Sequence, residues 1–277
     1  MTSKEQNKQV MLSRKFYTEA NRISWNEAAP RHEERNQQTL LQDVMHSDFN
    51  ALEPELRETL NRLDLQGKRV AQVCCNNAKD LLSVIKMGAS YGLGVDAASA
   101  FIDQGNELIK ATHYQDRMEL LVSDVYDIPD QFKEQFDVVL TTVGVMSWMP
   151  DLSAFFKVIH SLIKPGGYYV AEEMHPVLLM YETDGKGVSR PLYSYFKQDP
   201  WKDTDGLDYF GHVEYESSPS YSFQHKMDDI LMAGINLDMD LKYIREIDRD
   251  ISNFCMDLEH QEAKPPLGFN MIMQKQK

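Results

Sequence analysis

Two aspartates each close an apolar run: Asp96 ends "GLGVDA" and Asp124 ends "LLVSDV". A carboxylate at the carboxyl end of a buried strand can accept hydrogen bonds from a ribose diol. A second one, at the end of the next strand, can reach a purine edge. Upstream, "VAQVCCNNAKDLL" (Val70 to Leu82) reads as strand, turn and helix, with Asp96 placed beyond the turn at roughly the twenty-residue spacing of nucleotide folds. Such turns usually carry glycine, which lets backbone approach a ligand; this one holds Cys74, Cys75, Asn76 and Asn77 instead. These side chains are small, and Asn tolerates left-handed dihedrals better than most, so the turn can still be tight. The two carboxylates and the bend point to an adenosine-bearing ligand and require no pyrophosphate. Helix capping or solvation would use the same aspartates, and the cysteines are better read as small buried apolar groups than as reactive thiols.

Positioning those residues requires a framework. The first 66 residues read as helical and thinly apolar, with a helix in "LEPELRETLNRL" that Gly67 ends. From Lys68, strands alternate with helices: "KRVAQVC", "GLGVDA", "MELLVSDV", "FDVVLTTVGV" and "YYVAEEM" are strands, while "AKDLLSVIKMGA", "SAFIDQGNELIKATH" and "PDLSAFFKVIHSLI" are helices. That order predicts an α/β fold with a doubly wound, mostly parallel sheet. After His175-Pro176 the alternation stops in an aromatic-, Gly-, Pro- and Asp-rich stretch too long for a plain loop, read as an insertion of one or two hairpins. A helix in "SFQHKMDDILMAGI" and strands in "DLKYIREI" and "GFNMIMQK" complete seven sheet strands. The expected division is an N-terminal helical lid at 1–66, a cofactor-binding core at 67–175, an inserted cap at 176–222 and a closing helix with two strands at 223–277.

A net charge of −14 counts against nucleic acid and against an anionic membrane surface, since both need clustered Lys and Arg. The start, "MTSKEQNKQV", has no apolar core of a secretory signal, and no apolar run approaches a bilayer span. Three cysteines, two of them adjacent, imply no disulfide framework, and no metal-ligand spacing occurs. A cytoplasmic protein acting on a small molecule, with no metal, is the expectation.

The motifs "VAQVCCNNA", "GVDAAS", "SDVYDIP", "FDVVLTTVGVMSWMPDLSAFF" and "LIKPGGYYV" together resemble the class I S-adenosylmethionine-dependent methyltransferases. The likeness is good from Gly67 to His175 and rests on element order alone after Ser222. The chain also resembles a bacterial subgroup with a "WNxxxxxH" segment, here Trp25, Asn26 and His32, and with "EMHP" after the fifth strand. The resemblance implies a Rossmann-like fold and S-adenosyl-L-methionine held by Cys74, Asn76, Asp96, Ala97, Asp124, Val125, Thr142 and Trp25. It implies an acceptor pocket with Trp148 on its wall, to which the insertion's Tyr195 and Trp201 are candidates. His175 and His32 are the candidate catalytic groups. Tyr193, Tyr195, Phe196, Trp201, Tyr209 and Phe210 either line that pocket or form the insertion's own small core. Glu172 and Glu173 alternate along a strand, so only one can face the cleft. The chain departs from the pattern at Gln72, where the family has an acid that anchors the cofactor's amino group, and at Cys74, Asn76 and Ala78, where it has glycines. The implied activity is in-line methyl transfer to N, O or C of a small molecule. Intramolecular cyclisation of the cofactor and non-catalytic cofactor binding are the alternatives.

Overall fold

The computed structural model describes residues 3–207 and 215–277; Tyr209 and Phe210 lie outside the described residues. A long helix, α1 (Ser3–Asp43), leads to α2 (Pro54–Asn61) and then to the alternating core: β1 (Arg69–Val73), α3 (Lys79–Lys86), β2 (Tyr91–Asp96), α4 (Ser99–Ala111), β3 (Met118–Val122), β4 (Phe136–Thr141), α5 (Leu152–Leu162) and β5 (Ile163–Met174). Two short ladders follow, β6 (Tyr181–Thr183) with β7 (Ser189–Pro191) and β8 (Trp201–Asp203) with β9 (Ser220–Ser222). The chain ends in α6 (Met227–Ile235), β10 (Met239–Ile247) and β11 (Gly268–Lys275).

Seven strands form one sheet in the order β10-β11-β5-β4-β1-β2-β3. Strands β1 to β5 are parallel, and β11 runs antiparallel between β5 and β10. This is the Rossmann-like doubly wound architecture. Its parallel strands are covered on both faces, which is why they read as unbroken apolar runs. One face packs Phe136, Phe155, Phe156, Ile159, Tyr169 and Met271; the other packs Leu56, Leu60, Leu81, Leu82, Val138 and Val170. The strand order reverses between β1 and β4, so a crevice opens beyond their carboxyl ends. Close packing at that crevice explains Gly105: a Cβ there would lie 2.9 Å from the Asn77 carbonyl oxygen, so α4 can pass the first turn only without a side chain.

Several boundaries differ from the sequence reading. Gly67 does not end α2, which stops at Asn61; its φ of +71° belongs to a turn whose N–H bonds the Gly88 carbonyl. The last helix begins at Met227, not Ser222, because residues 220–222 are drawn into β9. Glu172 and Glu173 do face opposite sides of β5, yet both are buried. Among the described residues no helix is long and apolar enough to cross a membrane.

Candidate active site

The turn after β1 adopts a glycine-like backbone without glycine. Cys74, Asn76 and Ala78 have φ of 54°, 52° and 58°, the same three positions where the resemblance expects glycine. Left-handed dihedrals cost an L-residue about 1–2 kcal/mol each. The turn is held by hydrogen bonds that offset this. The Asp96 carboxylate accepts from the Asn76 N–H at 2.8 Å and from the Ala98 N–H at 2.9 Å. Asn77 N–H donates to Asn76 Oδ1 at 2.8 Å, and Ala78 N–H to the Cys75 carbonyl at 2.8 Å. Bonds to a charged acceptor contribute about 1.5–3 kcal/mol each, so Asp96 alone can balance most of the turn's strain. Each of its oxygens keeps a further lone pair for a ligand. Burial pushes the Asp96 carboxyl up to about 6, against the pull of N–H groups from Ala98, Asn76 and Ala97.

Asp124 caps the short turn Val125–Asp127 by accepting from the Tyr126 N–H at 3.0 Å. The charges of both aspartates act on Cys74. Its thiol is held well above its usual range by burial first, then by the nearby charges of Asp96, Asp124 and Glu173. Cys75 is buried and likewise raised, so neither thiol is a nucleophile at neutral pH. Glu173 points to the same side and accepts from the Gly144 and Met146 N–H groups at 2.8 and 2.9 Å, which fixes the loop carrying Trp148. Ala97 is half-buried at the β2 tip, while Val125 is buried in the core.

The helix α1 lies over these tips. Trp25 meets Trp148, Phe101 and His32 edge-on at ring distances of 5.4, 6.0 and 6.4 Å. Asn26 Oδ1 accepts from the Ala100 N–H at 3.0 Å and so caps α4, whose own N-cap residue, Ala98, has no polar side chain. Asn21 pairs through both amide atoms with the backbone of Tyr221, at 2.9 and 2.7 Å. Arg14 stacks on Tyr126 at 4.4 Å and faces Asp151 at 3.6 Å.

The two histidines are placed differently. His32 Nε2 lies 2.8 Å from the Leu207 carbonyl, so that nitrogen carries the proton and ties α1 to the inserted segment. His175 is buried where β5 meets β11: Nδ1 accepts from the Val177 N–H at 3.2 Å, and Nε2 lies 3.4 Å from Glu246. Burial holds its proton affinity down, against the Glu246 charge. The ring partner of Trp148 among the described residues is Trp25, while Tyr195 and Trp201 meet the rings of Phe196 and Tyr193. The Tyr195 hydroxyl accepts from the Met227 N–H at 2.8 Å, and Trp201 packs edge-on against Tyr193. Thr142 accepts from Gln72 Nε2 at 3.2 Å, with Asp80 beside both. A cavity of about 750 Å³ opens elsewhere, between α1, the start of α5 and α6, lined by Arg14, Asp151, Lys157 and His225 among others. It is separate from the strand tips, where Cys74, Asn76, Asp96, Asp124 and Thr142 stay partly accessible.

Sequence reasoning assigned no function to Asn21, Arg14 or Asp80. Only Asp80, inside the quoted strand–turn–helix stretch, carried a signal. Among the described residues, no cluster of three or more His, Cys, Asp or Glu is placed to hold a metal.

Comparison with known proteins agrees with this geometry. A methyltransferase-domain family model matches residues 70–167. A ubiquinone biosynthesis O-methyltransferase of Acinetobacter baumannii is 30% identical over 128 residues, covering 44% of this chain and 53% of that protein. The chain spans about half the length of the curated relatives it matches. An S-adenosylmethionine-dependent methyltransferase structure from Mesorhizobium loti superposes with a TM-score of 0.61 at 18% identity, covering 83% of this chain and all of that one. Geranyl diphosphate C-methyltransferase from Streptomyces coelicolor, solved with Mg2+, geranyl diphosphate and S-adenosyl-L-homocysteine, gives 0.55 at 14% identity over 81% of this chain and 78% of its own. These solved structures share the fold.

Proposed function

We propose, from a methyltransferase domain at residues 70–167 set in a class I fold, that the chain transfers a methyl group from S-adenosylmethionine to a small-molecule acceptor. The observation that carries the reading is a turn that keeps glycine-like dihedrals, braced by the Asp96 carboxylate at the tip of the next strand. The residues present fit an adenosine. Asp96 has a lone pair left on each oxygen for the two hydroxyls of a ribose. Asp124 stands one strand further, for the purine edge. Trp25, on the overlying helix, makes an apolar roof, and Trp148 bounds the space where an acceptor would meet the methyl. Bound there, S-adenosylmethionine supplies an electrophilic methyl on a sulfonium.

The chain's own contribution is then alignment and exclusion of water. Holding two reactants in line supplies about 7–11 kcal/mol of barrier reduction, so no strong base is needed for a nucleophile already free of its proton. His32 and His175, both engaged within the protein, serve this reading better as ties than as bases. We assign α1 as a lid and residues 176–222 as the cap that selects the acceptor. The kept turn geometry speaks against a decayed, non-catalytic pocket. Three unpaired cysteines suit a reducing, cytoplasmic setting.

Titration calorimetry with S-adenosylmethionine and S-adenosylhomocysteine tests the first half. Micromolar binding that Asp96→Asn weakens about tenfold or more, and Cys75→Ser leaves intact, is expected; no binding by the parent chain overturns the reading. A mass gain of one methylene in a screened metabolite mixture tests the second half.

A further inference from the structure

Between α1, the start of α5 and α6 lies the cavity of about 750 Å³, a size suited to a small molecule. Two cations and two acids line it, Arg14 and Lys157 against Asp151 and Asp229. The acids are already engaged. Asp151 caps α5 by accepting from the Ala154 N–H at 2.9 Å, and Asp229 accepts from the Lys226 N–H at 3.2 Å and faces its ammonium at 3.3 Å. The cations are not. The Arg14 side chain is only 16% exposed and stacks on Tyr126, yet its nearest carboxylate oxygen, on Asp151, is 3.6 Å away. Stacking uses the flat face of a guanidinium, whereas its N–H donors lie in the plane. None of them makes a hydrogen bond among the described residues. Lys157 is exposed and pairs with no acid among the described residues, and Ser153, one turn before it on α5, shares its face. Leu152, Met232, Ala233 and Leu237 supply an apolar wall. His225 donates from Nε2 to the Met149 carbonyl at 2.8 Å, and burial holds its proton affinity down, so it adds no charge at neutral pH.

We propose that this cavity binds a small apolar molecule by a terminal carboxylate seated between Arg14 and Lys157. A planar carboxylate matches the guanidinium fork. A phosphate would bring a second negative charge beside Asp151 and Asp229. The cavity borders the space assigned to the acceptor and lies apart from the cofactor cleft. Pro150 follows Trp148 by two residues, and α1 covers both places, with Tyr17 about 12 Å along its axis from Trp25. The carboxylate belongs either to the methyl acceptor, whose far end then extends toward Trp148, or to an effector that is not methylated. The first source rests on the methyl-transfer reading; the binding itself does not.

Calorimetry on the full chain tests the site with octanoate and naphthoate, each against its neutral amide, octanamide and naphthamide. The acids should bind about tenfold or more tighter than the amides, and Lys157→Gln and Arg14→Gln should each remove most of that preference. Ser153→Glu should abolish acid binding and spare the amides, because its carboxylate pairs with Lys157 and repels that of the ligand. Ser153 and Lys157 are exposed, so their variants fold even if Arg14→Gln loosens α1. Acids and amides that bind the parent chain alike, acids that bind Ser153→Glu as they bind the parent, or no binding by any of the four would each overturn the proposal and leave a solvent-filled cleft. Turnover in a metabolite mixture separates the two sources. If the acceptor carries the carboxylate, the product that gains a methylene is itself an acid, and the tighter probe acid competes with its formation. If an effector carries it, the product is no acid, and the probe changes the rate without competing. Binding of S-adenosylhomocysteine by the parent chain, measured alone, tests the methyl-transfer reading apart from this site.

Discussion

At the scale of single residues, the first turn sets opposing effects against each other at Ala78. Its left-handed φ costs about 1–2 kcal/mol that glycine would not incur. Its buried methyl returns about 0.8 kcal/mol. Ala78→Gly should therefore stabilise the chain by about 0.5 kcal/mol, read as a higher urea midpoint at unchanged slope; a lower midpoint would show that the methyl outweighs the strain. Cys74 and Asn76 are poorer places for this change. Cys74 packs against the core under the sheet tips, and the Asn76 side chain accepts the Asn77 N–H. Asp96 makes a second forecast. Burial raises its carboxyl to about 6, and a protonated carboxyl cannot accept two ribose hydroxyls while also holding two N–H groups. Affinity for S-adenosylhomocysteine should fall by up to about tenfold per pH unit below pH 6. In Asp96→Asn that dependence on pH should vanish, and a parent chain with pH-independent affinity from 4.5 to 7.5 would refute the assignment.

At the scale of elements, α1 is held by polar side chains as well as by the apolar contacts of Tyr17, Trp25 and Ala29. Asn21 pairs with the β9 backbone, Asn26 caps α4, and Glu27 accepts from the Ser218 N–H and hydroxyl. Asn26→Ala should cost about 1 kcal/mol, the usual value of a lost cap. Both Asn21→Ala and Asn26→Ala should speed hydrogen exchange along residues 14–30 with the sheet unaffected; uniform exchange changes would mean α1 opens only with global unfolding. The same contacts show what could be read from sequence. The sheet was legible because parallel strands must be apolar on both faces, and Asp96 and Asp124 were legible because each interrupts such a run at its end. The docking of α1 was not, because its partners lie up to 200 residues away and are backbone groups, which no side-chain pattern announces. Gly67 was misread because positive φ is needed by a turn before β1 as much as by a helix end. The insertion was visible only as a break in alternation, since its strands are three residues long and carry no periodicity.

At the scale of the whole molecule, two buried glutamates on opposite faces of one strand decide how stability depends on pH. Burial pushes Glu172 up to about 8, helped by the charges of Glu53 and Asp80, and pushes Glu173 up to about 8 against N–H donors from Met146 and Gly144. In the unfolded chain both ionise near the ordinary carboxylate range. A folded value above the unfolded one means the folded state binds more protons. Stability is then full below about 4.3 and falls as pH rises through 8. Asp137 acts in the opposite sense. Burial is outweighed there by the Arg69 N–H and by Lys164 at 3.1 Å, so its carboxyl is lowered and its contribution is lost only in acid. Tm should therefore be highest near pH 4 to 5 and decline toward pH 8, with the chain's net charge of −14 adding self-repulsion on that side. Glu172→Gln should flatten the decline, because it removes one of the two buried ionisations. Glu173→Gln should not be a clean substitute, because both Glu173 oxygens accept N–H groups and an amide would turn a donor toward one of them. A parent chain whose Tm is level from pH 6 to 9 would mean that both glutamates are hydrated in the folded state and already ionised by pH 6, as in the unfolded chain.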